Sequence, residues 1–471
     1  MRFTLDRTAR RVSTSAPGLL AGSPLRWFRL TPTGDEVLDR LIAGDDLPVS
    51  GTVGLLVDRL VDAGAIHPQF EPGSVSGVDV TLVVPVRDRV DELAALLGSV
   101  AAGGAVPAHI VVVDDGSADA AAVAALAADF GATLVRRDRS GGPAAARNDG
   151  LAAVRTAFVV FVDSDCTVTS GWLDELVCAF TDDRVALAAA RVVAAGGTGP
   201  LAEFDRLRSP LDLGPYEGPV VPGSSISYVP AAALAGRTEV LRTLGGFDDS
   251  LQVGEDVDLV WRVVAEGYRV RYRPTSQVEH PPRPSVGAWC RQRFQYGTSA
   301  AALDARHPGD VAPVRCSPWT VALWCAVCGL PAPLGVAIAG GIASVTGVSA
   351  AQRLAASDVP VPMAWEVVGR GHLGAGAQLA RAVVRAWWPV ALMAAVVSKR
   401  GRRVVAGALL WNLGAALAER SGEPVRAVPF AALSVIDDVA YGAGVWAGCI
   451  RRRSLRALLP SVAPSTRRVS R

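Results

Sequence analysis

The stretch FVVFVDSDCTV at 158–168 decides the fold of this 471-residue chain. It sets an apolar run, the form of a strand buried in a parallel sheet, directly before two carboxylates. Similar short runs are VDVTLVVPV at 78–86, HIVVVDD at 109–115 and ATLVRRD at 132–138, and Ala- and Leu-rich helical segments separate them. This alternation predicts an α/β fold with a doubly wound, mostly parallel sheet that binds ligands at the carboxyl ends of its strands.

Two pairs of acids stand at the ends of these predicted strands. Asp114 and Asp115 precede a Gly-Ser turn, and Asp163 and Asp165 follow the run that begins at Phe158. Carboxylates in these places can hold the base and ribose of a nucleotide and a divalent ion on its diphosphate. Mg²⁺ and Mn²⁺ take one or two carboxylates together with phosphate oxygens. The acids therefore predict a nucleotide site with Mg²⁺ or Mn²⁺, and turn formation by Asp is the alternative.

Two further segments supply candidate groups for the same sheet edge. The Gly-rich stretch 140–151 leads into a helix that carries Arg147, a donor for a ligand. Another predicted helix opens with Glu255 and Asp256. Acids in a first turn often complement the helix dipole. Asp256, however, is predicted on the buried flank that faces the ligand edge, where a carboxylate can act as a general base.

Three basic side chains downstream are weaker candidates. His280 closes a short predicted strand, and a histidine is a sensible further metal ligand after two carboxylates, although a structural histidine is the alternative. Arg291 and Arg293 would neutralise a leaving diphosphate, and an equally good interpretation makes them amphipathic cover of the surface.

Residues 1–75 form a separate prelude. Thr33 and Glu36 have the spacing of a capping box before an apolar helical pattern, and a second helical pattern follows it. Two short helices beside short strands, RWFRL and AIHPQF, predict a small winged-helix-like domain.

The charge of the prelude argues against nucleic acid. Residues 33–64 carry seven acids and two arginines, and that sign repels phosphate. The net charge of the whole chain is +2, which implies no general polyanion partner. A peptide- or protein-docking domain is therefore predicted, with a plain structural appendage as the alternative.

The C-terminal part is apolar, which agrees with a mean hydropathy of +0.30 for the chain. Residues 316–352 contain no charged side chain, although Pro331 and Pro333 interrupt the run. The prediction is a hydrophobic helical, membrane-associated region at 316–450 and a basic tail at 451–471. A soluble helical subdomain is the alternative.

The predicted location is the cell membrane, with the catalytic domain on the cytoplasmic side. The tail carries seven arginines and no acid, as expected of a cytoplasmic flank. The N-terminus lacks the apolar segment of a signal peptide, and the seven cysteines form no disulfide framework, so we expect free thiols in a reducing compartment.

Together the motifs resemble the family 2 glycosyltransferases of the GT-A fold, over about 78–283 within a predicted domain at 78–315. The motifs are VVPVRDR, VVVDDGS, GGPAAARNDGL, FVDSD and GEDVDLVWR. The whole chain resembles the narrower group that acts in mycofactocin biosynthesis, and the prelude resembles the peptide-chaperone domains of radical-SAM peptide pathways. This resemblance implies transfer of glucose from UDP-glucose onto a peptide-derived redox cofactor, or its precursor, and extension as a β-1,4-linked oligosaccharide.

The resemblance also implies a role for each site residue. Asp256 is the base of an inverting reaction, and Asp165 and His280 hold the metal. The donor and acceptor would be bound by Pro85, Arg87, Asp114, Asp115, Arg147, Asp163, Glu255 and Arg293.

The chain departs from the processive polysaccharide synthases, since Gln292-Arg293-Phe294 is at best a remnant of their Q-x-x-R-W motif, which argues against a long polymer. Three rival functions stay open on the sequence. They are a cell-wall or lipid-linked glycan synthase, a nucleotidyltransferase that releases pyrophosphate, and a non-enzymatic regulator built on the prelude.

Overall fold

A computed structural model describes residues 2–12, 17–45, 47–75, 79–104, 106–355, 359–419 and 425–462. The chain divides into two compact units, Met1–Arg11 with Leu19–Pro282 and Val12–Gly18 with Arg283–Arg471. The first unit ends at Pro282, and the predicted domain boundaries at 75 and 315 stay predictions. Most of the basic tail, from 463 onward, lies outside the described residues.

The N-terminal part combines two helices with short strands. In chain order its elements are β1 Arg2–Leu5, β2 Arg10–Val12, β3 Gly18–Ala21, β4 Arg26–Arg29, α1 Pro32–Ala43, α2 Gly51–Asp62 and β5 Ile66–Gln69. β1 pairs with β5 antiparallel, and β2, β3 and β4 form a second sheet. The helices bury Leu38, Leu41 and Leu60 against these strands. Two helices and short strands are present as predicted, while the winged-helix arrangement stays a prediction.

The cap of α1 differs from the prediction. Thr31, not Thr33, precedes the helix, and its hydroxyl accepts a hydrogen bond from the Gly34 amide at 3.0 Å. Pro32 then occupies the first helical position, where its missing N–H costs nothing. The helix therefore starts two residues earlier than the capping-box spacing indicated.

The predicted catalytic part, residues 80–280, is built on one long mixed sheet. Its elements are β6 Val80–Val86, α3 Val90–Ala102, β7 His109–Asp114, α4 Ala120–Asp129, β8 Thr133–Arg136, α5 Pro143–Ala153, β9 Phe158–Val162, β10 Thr167–Val168, α6 Trp172–Val177, β11 Val185–Ala194, α7 Pro200–Arg208, β12 Gly218–Pro219, β13 Ala233–Arg237, α8 Thr238–Thr243, α9 Glu255–Ala265 and β14 Arg269–His280. The strand order is β10-β14-β11-β13-β9-β6-β7-β8, with β12 on β14.

The direction of the strands changes across this sheet. β8, β7, β6 and β9 are parallel, as the apolar runs predicted. β13 is antiparallel to both β9 and β11, and β11 is again parallel to β14. The predicted α/β class is confirmed, and the mostly parallel pattern holds for the first half of the sheet.

Close packing of α5 on the sheet positions the site. A Cβ at Gly150 would lie 2.3 Å from Cγ1 of Val83, so only glycine lets the helix approach β6 this closely. The middle residues of the strands beneath are fully buried, with Val83, Val112 and Val160 at 0% exposure. Arg147, one turn earlier on α5, is thereby held over the carboxyl edge of the sheet.

Ion pairs attach the prelude to this sheet. Arg269, the first residue of β14, places its guanidinium 2.6 Å from both Asp58 and Asp62 of α2. The same guanidinium lies 2.8 Å from Asp182 of the catalytic part. Arg184 reaches Asp58 and Asp62 at 3.2 and 3.3 Å. Two of the seven acids that argued against nucleic acid therefore serve this internal contact.

The second unit is helical. Its elements are α10 Val286–Thr298, α11 Ala300–Arg306, β15 Arg315–Cys316, α12 Pro318–Gly329, α13 Ala332–Ala355, α14 Val361–Val384, α15 Trp388–Val397, α16 Lys399–Glu419, α17 Ala427–Arg452 and β16 Ser461–Val462. Pro331 lies between α12 and α13, whereas Pro333 lies in the first turn of α13. The predicted apolar helices are present in this region. Among the described residues, α13 and α17 are long and apolar enough to cross a membrane, and α14 with α15 passes only as a pair bent by 83°.

Candidate active site

The carboxyl ends of β6, β7 and β9 form one edge, because these strands are parallel neighbours. β6 leads into Arg87, β7 ends at Asp114, and β9 leads into Asp163 and Asp165. The sequence-predicted acids therefore share one edge of the sheet.

Asp114 is engaged inside the protein. It has no exposed surface, accepts a hydrogen bond from the Ser117 amide at 2.8 Å and pairs with Arg136. Its carboxylate braces the turn from within, which is the turn-forming role that the sequence left as the alternative. In this conformation both oxygens of the Asp114 carboxylate are engaged inside the protein, and its contact with the donor stays a prediction.

Asp115 holds the glycine loop. Its carboxylate accepts hydrogen bonds from the Ser140 hydroxyl at 2.6 Å and from the amides of Gly141 and Gly142 at 2.8 and 2.9 Å. Gly116 next to it has φ of +78°, and a Cβ there would lie 2.8 Å from the Ser140 nitrogen. The Asp-Gly pair thus lets the loop lie directly on the end of β7.

Arg147 joins two acids that are distant in sequence. Its Nη1 donates to Oε1 of Glu255 and its Nη2 donates to Oδ1 of Asp163, both at 2.7 Å. Arg147 and Glu255 are buried, and Asp163 is partly exposed. Burial lowers the pKa of Arg147, but Asp163 and Glu255 outweigh that effect and leave it above its ordinary value. This bridge fixes the start of α9 against the end of β9.

Removing the Arg147 charge should destabilise the fold. Arg147→Gln leaves buried Glu255 without its partner, and breaking a buried pair in this way costs about 3–5 kcal/mol. Arg147→Lys should fall between this variant and the wild type, because it keeps the charge and loses the two-pronged contact. Urea denaturation followed by tryptophan fluorescence measures the effect. Arg155→Gln, on the exposed end of the same segment, should be neutral. A neutral Arg147→Gln would show that the bridge is not a stabilising element.

Asp256 lies at the start of α9, beside this bridge. Gly254 precedes the helix with φ of +88°, and the Asp256 carboxylate accepts hydrogen bonds from the Val257 amide at 2.8 Å and the Ala231 amide at 3.3 Å. The helix buries Leu259 on the sheet, as predicted, while Val264 is only half-buried.

The two acids at the start of α9 ionise with difficulty. Burial raises the pKa of Asp256. Burial, followed by the neighbouring charge of Asp256, raises the pKa of Glu255 to about 7. An acid with a raised pKa is a better proton acceptor near neutral pH, which suits a general base.

The pH dependence of the rate should report this pair. A base must be ionised to accept a proton, so activity should rise as pH increases through the raised pKa. We expect the acid limb of log(kcat/KM) to lie above the ordinary carboxylate range, because burial raises the pKa of Asp256 and also that of its neighbour Glu255. An acid limb near the ordinary pKa of Asp, about 4, would contradict the assignment.

Asp165 and His280 approach each other across the sheet. Nε2 of His280 lies 3.5 Å from Oδ2 of Asp165, and Arg89 pairs with the same oxygen. Among the residues that the structure describes, no group of three His, Cys, Asp or Glu side chains is arranged to hold a metal ion. The predicted metal donors Asp165 and His280 thus lie together as a pair, and their role as ligands stays a prediction.

Sequence reasoning missed several arginines and one strained residue. Arg89 and Arg137 contact the acids Asp165 and Asp115. Asp88 has φ of +55° and accepts a hydrogen bond from the Ala118 amide at 2.7 Å, which ties the end of β6 to the loop after β7. All three residues lie within or next to the motifs quoted from the sequence. The alternation of basic and acidic residues at the strand ends was the signal that could have indicated these ion pairs.

The remaining predicted residues lie as follows. Pro85 is half-buried within β6, opposite Val113. Arg87 is exposed and donates to the Ser140 hydroxyl at 3.1 Å, so it lies beside the glycine loop. Arg293 belongs to the second unit, where its Nε lies 2.6 Å from Oδ1 of Asp437 on α17 and its side chain is buried. The guanidinium of Arg293 is thus engaged by an internal carboxylate instead of being open to a diphosphate.

Comparison with known proteins gives a near full-length match. The model of glycosyl transferase family 2 matches residues 81–245. The chain is 38% identical over 468 residues to the pre-mycofactocin glycosyltransferase of two Mycobacterium tuberculosis strains, with 97% of each chain covered. The succinoglycan biosynthesis protein ExoO of Rhizobium meliloti is 29% identical over 42% of this chain and 59% of its own length. The match in M. tuberculosis therefore includes the prelude and the C-terminal helices as well as the sheet.

One solved structure is similar at a lower level. The mannosyltransferase PcManGT of Pyrobaculum calidifontis, solved with GDP-Man and Mn²⁺, is 18% identical with a TM-score of 0.45, and the match covers 82% of this chain and 91% of that one.

Proposed function

Because this chain belongs to the family 2 glycosyltransferases, we propose that it transfers glucose from UDP-glucose to the peptide-derived precursor of mycofactocin. The near full-length identity to the pre-mycofactocin glycosyltransferase carries this proposal. Family membership gives the enzyme class, so nucleotidyl transfer and a purely regulatory role are set aside. The donor, the inverting course and a β-1,4-linked product are parts of the proposal.

In the proposed mechanism Asp256 takes the proton from the acceptor hydroxyl as it attacks the anomeric carbon. Attack from the face opposite the diphosphate inverts an α-linked donor to a β-linked product in one displacement. Arg147 positions this step, because it holds the start of α9 to the strand end that carries Asp163. Asp115 keeps the glycine loop at the edge where a nucleotide would lie.

Asp165 and His280 are the proposed donors to Mg²⁺ or Mn²⁺. When bound, the ion would supply positive charge that stabilises the leaving UDP, so no protonated acid is required. Arg89 neutralises Asp165 in the present arrangement and would have to release this oxygen.

The prelude is the proposed docking domain for the peptide part of the acceptor. Its α2 is anchored to Arg269 at the first residue of β14, and His280 is the last residue of that strand. A peptide bound to the prelude would therefore be held at a fixed distance from the proposed metal donors.

Loosening this anchor should affect acceptor use selectively. We expect Arg269→Gln to raise KM for a peptide-containing acceptor several-fold, because the two acids of α2 lose the nearer of their two shared partners and keep only the longer contacts with Arg184. KM for the nucleotide sugar should not change. Steady-state kinetics with Arg155→Gln as the control measure this. An equal rise in KM for both substrates would indicate a general structural defect.

A lipid-linked acceptor is the second candidate, favoured by α13 and α17, whose lengths and compositions permit membrane spans. We propose that the enzyme associates with the cell membrane and works on its cytoplasmic side. Retention in the membrane pellet after carbonate washing is expected, and clean recovery in a detergent-free soluble fraction would contradict it.

UDP release from a panel of nucleotide sugars tests the proposed donor. We expect acceptor-dependent release with UDP-glucose and a β-configured product by NMR. A clear preference for another sugar, or an α-configured product, would overturn that part of the proposal. Greater activity with a polyprenyl-linked acceptor than with the peptide-derived acceptor would favour the second candidate.

A further inference from the structure

α15 is a short helix with an unusually exposed apolar surface. None of its ten residues is buried. Half of its side chains are between 57% and 76% exposed. They are Val390, Leu392, Met393, Val396 and Val397. Apolar surface of this extent marks a binding surface rather than a surface that faces water.

Geometry excludes a simple membrane crossing by α15. At ten residues it is about 15 Å long, half the thickness of a hydrocarbon core. It is bent by 83° from α14, so the two helices do not share an axis. If α14 runs along the membrane normal, α15 lies nearly in the membrane plane.

A group of cations follows α15 directly. Lys399, Arg400, Arg402 and Arg403 are all exposed, and Arg402 donates to the Ala395 carbonyl at 3.1 Å, which ties the group to the end of α15. No acid occurs between Glu366 and Glu419. The cations also begin α16, where positive charge opposes the helix dipole. The stretch of sequence that holds these cations thus carries no acid, which suits them to anions from outside the chain.

We propose that α15 and the first turn of α16 bind the surface of an anionic phospholipid bilayer. The apolar residues insert at the boundary of the acyl chains, and the four cations contact the headgroups. The proposal extends the membrane association proposed above to a lipid class and an attachment point, and it does not depend on sugar transfer.

The occupant is a bilayer rather than a protein for two reasons. Trp388–Val397 contains no polar side chain that could specify a partner by hydrogen bonds, apart from the indole of Trp388. The adjacent cations lie at the end of the helix rather than around it, so the apolar and cationic surfaces are separate. The acyl chains and the headgroups of a membrane are separated in the same way.

Vesicle flotation tests the proposal. The full chain is synthesised in a cell-free system with vesicles of phosphatidylcholine, alone or mixed with phosphatidylglycerol, and then floated. We expect more protein to float with the anionic vesicles than with the neutral ones, and this difference should shrink at high NaCl concentration. Replacing all four cations with Gln should lower partitioning to anionic vesicles roughly fivefold for each charge removed.

Two matched variants separate charge from folding. A charge-preserving variant, with Lys399→Arg and Arg→Lys at the other three positions, should float like the wild type. Val396→Ser combined with Val397→Ser should lower recovery with both kinds of vesicle. The chymotrypsin digestion pattern confirms that each variant is folded.

Equal flotation of the wild type with neutral and anionic vesicles would overturn the proposal, as would a four-Gln variant that keeps the anionic preference. Absence from both kinds of vesicle, with co-purification of an acidic soluble protein instead, would assign the surface to a protein partner.

Discussion

Replacing Asp256 with Asn should lower the rate of sugar transfer by about 10²–10⁴-fold, the usual contribution of a general base. The amide nearly preserves the size of the side chain and can still accept the hydrogen bonds from Val257 and Ala231, but it cannot take a proton. Binding of the nucleotide sugar should be retained, because Asp256 is on helix α9 whereas the proposed donor contacts lie at the ends of strands. Single-turnover rates and calorimetric donor binding separate the two effects.

Asp258→Asn is the matched control for this prediction. Asp258 is on the same helix and is buried, with its carboxylate 2.8 Å from Nε of Arg262. This substitution should lower stability and leave kcat of the folded enzyme almost unchanged. Equal loss of activity in both variants, or loss of donor binding in Asp256→Asn, would place the base elsewhere.

Asp165→Asn should reduce transfer by about 10²–10³-fold, the scale seen when one group that stabilises developing charge is removed. The substitution takes away the carboxylate that faces His280 at 3.5 Å. His280→Ala should have a smaller effect because a hard cation depends more on oxygen ligands. Binding of Mn²⁺ followed by electron paramagnetic resonance should weaken in both variants.

Glu279→Gln provides the control for the metal prediction, since Glu279 is exposed and adjacent to His280 in sequence. It should bind Mn²⁺ and transfer sugar like the wild type. Full activity of the enzyme after treatment with EDTA would remove the metal assignment and the proposed role of His280 together.

The first half of the sheet could be predicted because each strand carries its own signal. Val80–Val86, His109–Asp114 and Phe158–Val162 are β-branched apolar runs buried on both faces. Ala233–Arg237 has no such signal, because its sequence ALAGR is low in strand-forming residues. It becomes the antiparallel β13 only through pairing with β9 and β11. Tertiary contacts therefore set the half of the sheet that the sequence did not reveal.

The candidate site likewise has a part that the sequence predicts and a part that it does not. The carboxylates could be placed at one edge because each follows a recognisable strand or opens a recognisable helix. The arginines that pair with these carboxylates could not be predicted, because the sequence around an arginine does not indicate which acid it will contact in the fold. Arg293 illustrates this limit: its neighbours suggested a phosphate contact, and its partner Asp437 lies on a helix far along the chain.

Mass spectrometry of the acceptor tests the central claim most directly. The purified full-length enzyme is incubated with UDP-glucose, a divalent cation and the peptide-derived precursor, and the intact acceptor is weighed before and after the reaction. The proposed function predicts an acceptor heavier by one or a few hexose units, with one UDP released for each unit. Release of UDP without any gain in the mass of this acceptor, while a lipid-linked acceptor gains hexose under the same conditions, would contradict it.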